Sequence, residues 1–511
     1  MLTRRFKFIY CLPLVPLLLG AFFVVERIRG QLSLARYQRT LVAQGEKLTL
    51  QEVVPAPAPL ENGAPAVFAA AKQLVEGRVL SKSSPPRMQL TQAGRAVVGF
   101  HEPAWVDNKL AYDWVQLAAD LQTNAAILTR IRAATAQPIL RNPLDFSQGF
   151  KMPIQHLAPA KSLARWFGSA SQLALHQGQP HQALEPLLAE IQLPRLLAED
   201  RIVISELVRI AIAAIARADT WEALQAEGWT EPDLSNLQQA WEAQHFAEAM
   251  ARSLEGERLF SLISYDLLRK SNADTFDMIY GLQQVFPPDD SERPWWERHL
   301  RLLPGGDTVA DFLKKQVYCR LWRFAWLDQD ERHYLESMQQ LLKIARRAAA
   351  EKSLADIRPA LTQFEQDSAR RTGYDRLRYP DANSPLTLTR SVSKALRAET
   401  ERSLVLCALA LKRYNLGHAQ APASLRALVP DFLAALPVDY MDGHPIRYQL
   451  HPDGSFALYS VGDNGQDDGG DLTLLPDHTS PRNLWNRKDF VWPAPAQAEE
   501  VEAYRLEAAK K

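Results

Sequence analysis

Residues 8–25, FIYCLPLVPLLLGAFFVV, carry no charge and follow Arg4, Arg5 and Lys7. A helix of that length rises about 27 Å, close to a bilayer hydrocarbon layer of about 30 Å. The pattern predicts a transmembrane segment. Val24, Val25 and Glu26 stand where signal cleavage needs small residues, so an uncleaved signal anchor is preferred to a cleaved signal peptide. Cys11 precedes the apolar core, whereas a lipoprotein signal needs its cysteine after it. The basic start predicts the amino terminus inside and the bulk outside. A helical stalk is expected over 28–50, then a stiff linker, VVPAPAP, at 53–59.

Through the next three hundred or so residues, apolar positions recur three and four apart, the mark of helices packed on helices. In YDWVQLAADLQTNAAILTRIRAA, Trp114, Leu117, Leu121, Ile127 and Ile131 share a face. Residues 163–218 break at QGQP, where Gly178 suits a helix end and Pro180 a helix start, which predicts a helical hairpin. Phe167, Ala170, Ala174, Gly178, Ala183 and Leu187 fall on positions that resemble a tetratricopeptide unit. No fixed period follows, so the expected body is irregular and only partly tetratricopeptide-like. IVISELVRIAIAAIA is apolar nearly all round and belongs inside it. The paired Trp295 and Trp296 suit a loop packed on the body, or a contact with the membrane surface or a partner.

At about residue 386 the rhythm changes. Leu404, Cys407, Ala408, Leu411 and Tyr414 line one side of a helix that Gly417 should stop. Ile446, Tyr448 and Leu450, then Phe456 and Leu458, alternate with polar residues on either side of HPDG, predicting two antiparallel strands and a tight turn. The predicted fold is mainly α. Its parts are a cytoplasmic start at 1–7, the membrane helix at 8–25, stalk and linker at 26–59, and a helical extracytoplasmic domain at 60–385. A small α+β module with an antiparallel hairpin follows at 386–492, and then a tail at 493–511, read as linker and short solvated helix.

Composition narrows the function. The hydrophobic fraction of 47% is that of a globular chain, and 59 basic against 59 acidic side chains leave no net field for a polyanion, so nucleic acid is excluded as a partner. Cys11, Cys319 and Cys407 lack metal-binding spacing; buried thiols are expected, a Cys319–Cys407 bridge being the alternative. No nucleophile elbow, dinucleotide fingerprint, phosphate loop or zinc-protease motif is present. Ser391 and Lys394 match a serine–lysine spacing without its companion motif, and His176 with His181 flank the hairpin turn as exposed polar residues would. The aromatic run at 322–327 reads as core.

One stretch stands apart, YSVGDNGQDDGGD at 459–471. Asp463, Asn464, Asp467, Asp468 and Asp471, with glycines to allow tight turns, can supply several of the six to eight oxygens that calcium takes; a solvated turn is the other reading of the same pattern. An EF-hand is excluded, since Leu474 falls where its bidentate glutamate belongs.

The span 401–472 resembles the major pseudopilin of type II secretion systems. The likeness is carried by Leu436, Pro437, Asp439, Gly443, Pro445 and Tyr448, by Gly454 and Phe456, and by Tyr459, Ser460, Gly462, Gly465, Gly469 and Gly470. It implies that the final loop binds a calcium ion that orders it, for which Asp463, Asn464, Asp467, Asp468 and Asp471 are the expected ligands. The whole chain is similar to large exported proteins of planctomycete and verrucomicrobial bacteria, in which a helical body precedes such a module. Two features depart from the pseudopilin pattern: the apolar segment lacks the leader cleavage site and its glutamate, and Asn464 replaces an aspartate. Together these features lead to the expectation of a single-pass bacterial inner-membrane protein with an extracytoplasmic bulk and a binding or structural role. The alternatives are a cell-envelope enzyme whose residues meet only in the fold, and an accessory part of a secretion machine with envelope or secretion proteins as partners.

Overall fold

The three-and-four rhythm of apolar residues folds as helices throughout the body. The computed structural model describes residues 14–54, 61–80, 87–103, 105–107, 110–285, 295–370, 373–380, 385–476, 478 and 483–509. Residues 8–13 of the apolar run, residues 55–60 of the linker region and the side chains of Trp295 and Trp296 lie outside that description. In chain order the α-helices of six residues or more among the described residues are α1 (Leu14–Ala43), α2 (Ala64–Ala71), α3 (Trp114–Thr135), α4 (Leu157–His176), α5 (Pro180–Gln192), α6 (Val203–Gln225), α7 (Glu231–Glu242), α8 (Ala247–Lys270) and α9 (Asn272–Val285). Then come α10 (Trp295–Arg301), α11 (Gly306–Phe312), α12 (Cys319–Ala325), α13 (Leu327–Glu351), α14 (Leu354–Ala369), α15 (Gly373–Arg378), α16 (Thr389–His418) and α17 (Ala498–Ala509).

The expected hairpin is α4 and α5. Gly178 takes φ +70°, a conformation that favours glycine, and Pro180 opens α5. Phe167, Ala174, Ala183 and Leu187 are buried where the two helices meet. Helix α6 runs through the middle of the body, burying Ile212, Ala213, Ala216 and Trp221, as its apolar character predicts. It also buries Glu206, Arg209, Asp219 and Glu222, which the hydrophobic pattern does not announce.

The stalk is not a free tether. Up to Val25, α1 exposes Leu17, Leu18, Leu19, Phe22, Val24 and Val25; from Glu26 onward it lies along α13. Leu34 and Leu41 pack with Leu335 in a small apolar cluster, each buried leucine contributing about 2 kcal/mol. Helix α1 stops at Ala43, where Gly45 turns the chain at φ +80°. Among the described residues no helix is long and apolar enough to cross a membrane.

The carboxy-terminal module is built as its alternation predicts. Strands β5 (Arg447–Leu450) and β6 (Phe456–Ser460) pair antiparallel, with Arg447 opposite Tyr459, and β7 (Phe490–Val491) extends the sheet beside β6. Earlier in the chain β1 (Gln89–Gln92) and β2 (Arg95–Val97) form a hairpin, β3 (Trp105–Asp107) pairs antiparallel with β4 (Leu110–Tyr112), and the late strand β8 (Ala494–Pro495) joins β2 in parallel. Helix α16 begins at Thr389, well before Leu404, and buries Val392, Ala395 and Leu396 on the way; Ala419 at φ +54° ends it rather than Gly417. The tail is docked: the Trp221 indole donates to the Pro493 carbonyl at 2.8 Å, and Arg505 pairs with Glu102 at 2.9 Å. Backbone pairing of β8 with β2 uses groups that no side-chain pattern signals, which is why the tail reads as a linker in the sequence.

Candidate functional site

Strand β6 delivers the chain to the acidic loop, and two buried aspartates hold its frame. Asp439 accepts from the Val461 amide at 2.9 Å, the Met441 amide at 3.0 Å and the Ser460 hydroxyl at 2.9 Å. Burial pushes its carboxyl up, and those hydrogen bonds work against the rise. Asp489, just before β7, accepts from the amides of Gly470 at 2.7 Å and Asp471 at 2.9 Å. Burial raises it too. Gly462 has no room for a side chain, since a Cβ there would stand 2.3 Å from the Lys488 carbonyl.

Around this frame the five expected metal ligands divide among separate partners. Asp463 is gripped through both side-chain oxygens by Arg397 of α16, and its carbonyl accepts from Arg358 of α14. Asp467 accepts from the Tyr459 hydroxyl at 3.1 Å and faces Arg447 Nε at 3.4 Å. Burial opposes its ionisation, yet the Gly469 amide, Tyr459 and Arg447 together hold it below the usual carboxylate range. Asp471 pairs with Lys488 at 2.8 Å and is depressed chiefly by that bond. Asn464 donates to Asp468 at 2.7 Å, the one direct link within the set.

Arg447 is the cation at the centre. Besides Asp467, it binds Asp442 through two nitrogens and lies 3.5 Å from Asp439. Among the described residues no group of three or more acidic, histidine or cysteine side chains is set to hold a metal ion. In this arrangement Arg397, Arg447 and Lys488 lie against the aspartates whose charge a calcium ion would neutralise. These partners lie 66, 20 and 17 residues from the aspartates they meet. No local spacing in the sequence reveals them.

A second feature lies in the helical body. A cavity of about 380 Å3 is lined by Pro65, Phe68, Lys72, Asn142 and His156 among others. His156 Nε2 is 2.7 Å from Asp200 Oδ2, and Asn142 donates to the other oxygen of Asp200 at 2.8 Å. A carboxylate bonded to one ring nitrogen fixes the imidazole and leaves the other nitrogen for a ligand. His156 and Asp200 are 44 residues apart, and neither sits in a motif. The lining offers a small apolar molecule a walled site with few polar contacts.

A third group is closed. Glu190 of α5, Asp219 and Glu222 of α6 and Gln172 of α4 are almost wholly buried, with Arg87 Nε 2.8 Å from Asp219 and Gln172 donating to it at 3.0 Å. Burial and the neighbouring Asp219 push the Glu190 carboxyl well above its ordinary range. Glu222 accepts from the amides of Met88 at 2.6 Å and Gly99 at 2.9 Å, and burial pushes it up to about 8. These residues tie the segment after Arg87 to the helical core.

The remaining sequence candidates separate. Ser391 is buried whereas Lys394 is exposed. His176 stacks on Trp114 with ring centroids 4.0 Å apart, while His181 pairs with Asp233 at 2.9 Å. Cys319 and Cys407 are free, buried thiols. Trp322 and Trp326 are core, as expected, but Phe324 between them is exposed. Comparison with protein-family models, curated proteins and solved structures gives no match, so the functional reading rests on the chain's own residues.

Proposed function

We propose that the chain is a membrane-anchored extracytoplasmic protein with a binding or structural role in the bacterial envelope. The observation that carries this reading is the change of character along α1 at Glu26. Upstream, Leu17, Leu18, Leu19, Phe22, Val24 and Val25 are exposed; downstream, Glu26 accepts from Gln329 at 2.9 Å and the helix is clamped to α13. Exposed leucines in a continuous helix suit lipid, and a clamped continuation holds the body at a fixed height above it. The test is extraction of cell membranes at alkaline pH. The full chain should stay with the membranes, and L17R/L18R should release it; a full chain recovered in the wash would overturn the reading.

A second reading, a small-molecule-binding or catalytic role, is supported by the His156–Asp200 pair at the cavity beside α2. Screening apolar ligands by thermal shift against the full chain and H156A tests it. A ligand whose stabilisation vanishes in H156A supports it, and equal shifts in both proteins count against it.

A further inference from the structure

We propose that α11 and α12, with the loop that precedes them, lie on an anionic phospholipid surface and give the chain a second membrane contact beside its anchor. This rests on the reading of α1 as that anchor. Leu302 and Leu303 occupy the tip of the loop, 81% and 59% exposed, and Gly305 at φ +73° turns the chain behind them. Val309, Phe312, Val317 and Phe324 are exposed along the helices that follow. Phe312 and Val317 stand five apart, which in a regular α-helix would part them; the π turn at Leu313–Tyr318 brings them to one face. Lys315 and Arg320 are exposed among them. Large apolar side chains interleaved with lysine and arginine are what an interfacial helix presents to anionic lipid.

The position of this face relative to α1 selects the occupant. The Arg27 guanidinium lies over the Phe324 ring at 4.8 Å, Phe23 meets Trp326 at 5.7 Å, and the Tyr374 hydroxyl donates to Glu26 at 3.0 Å. Phe324 therefore stands beside the point where the exposed apolar run of α1 ends. Arg27 is about 3 Å beyond Val25 along the helix axis, within a headgroup layer of about 5 to 7 Å. Beyond it along α1 a cleft of about 140 Å3 is lined by Arg29, Arg332 and Arg378 together with Glu336, which pairs with Arg332. Apolar surface continuous with the anchor and the Arg27 guanidinium at headgroup height both fit a bilayer.

Nitroxide labels placed one at a time on the full chain test the proposal, in a C11S background because Cys319 and Cys407 are buried. The labelled variants are L303C, F312C, V25C on the anchor and V115C, an exposed residue of α3. Reconstituted in vesicles of phosphatidylcholine with phosphatidylglycerol, L303C and F312C should join V25C in colliding with oxygen more than with a water-soluble nickel chelate, V115C showing the reverse. In phosphatidylcholine alone the preference at L303C and F312C should weaken. Chelate-accessible L303C and F312C beside a lipid-buried V25C would overturn the second contact and leave the anchor standing; a chelate-accessible V25C would overturn the anchor reading itself. Shielding of L303C and F312C from both reagents that grows with protein density would mark a second copy on this face, and would also overturn the proposal.

Discussion

Arg447 Nε stands 3.4 Å from Asp467 Oδ2, with the same guanidinium also reaching Asp442 and the buried Asp439. An arginine thus occupies the centre of the acid cluster. Replacing it by methionine keeps the length of the side chain and strips the cation from a carboxylate that has no access to water, so R447M should lose about 3 kcal/mol in urea unfolding. For the natural chain, calcium and a chelator should give the same melting temperature. In R447M, calcium should raise it, because an emptied cluster of carboxylates then has reason to take an ion that binds the folded state alone. A calcium-dependent rise in the natural chain would instead show that the loop exchanges its internal partners for the metal.

Gly168 lies in α4 against the buried Arg87–Asp219 pair. A Cβ there would stand 2.3 Å from both Arg87 Nη2 and Asp219 Oδ2. In an open helix, glycine to alanine gains up to about 1 kcal/mol. Here the clash decides the sign, and G168A should destabilise by about 1 to 3 kcal/mol. G417A, where nothing lies within 4 Å, should be neutral or stabilising. Denaturant titration of both variants compares the two signs directly.

The buried carboxyls set a pH dependence. Glu222 is pushed up to about 8 and Glu206 to about 7, burial being the first cause for each. A carboxyl whose folded pKa exceeds its unfolded value binds a proton more readily in the folded state. Its contribution is complete below the ordinary glutamate range and is lost as pH rises through the folded value. Stability should therefore fall between about pH 5 and about pH 8, and E222Q should flatten the upper part of that fall. Unfolding midpoints measured across this range give the slope; a natural chain that grows more stable toward pH 8 would contradict the assignment.

What the sequence discloses of this fold follows from range. Gly178 and Pro180 act on their own backbone, so the α4–α5 hairpin is legible, and Pro452 with Gly454 does the same for β5 and β6. The acidic loop is visible as a cluster of like charges, and its glycines take the positive φ values that tight turns ask for. Its neutralisation is hidden, because Arg397 arrives from α16 and Lys488 from the far side of the loop. Asp489 is hidden for a related reason: it accepts backbone amides, which carry no side-chain signature. The same limit conceals His156 and Asp200, brought together by the packing of the body and by no motif.

Glu46 provides the sharpest test of how α1 is held. Just past the end of that helix, it receives Arg346 at 2.5 and 2.9 Å, Gln339 at 2.7 Å and the fully buried Arg258 at 3.1 Å. Arg346 is the main cause that lowers its carboxyl to about 2, against the cost of burial. The sign is opposite to that of Glu222: the contribution is present above the ordinary glutamate range and disappears as pH falls toward 2. E46Q preserves the shape but leaves Arg258 without its carboxylate, and an uncompensated buried charge costs about 3 kcal/mol or more. If α1 and α13 form one unit, E46Q should lower global stability and also speed amide exchange along residues 30–43, while amides of β5 and β6 keep their relative protection. Faster exchange confined to the residues around position 46 would mean that Leu34 and Leu41 alone secure the helix, and that the charged clamp only fastens its end.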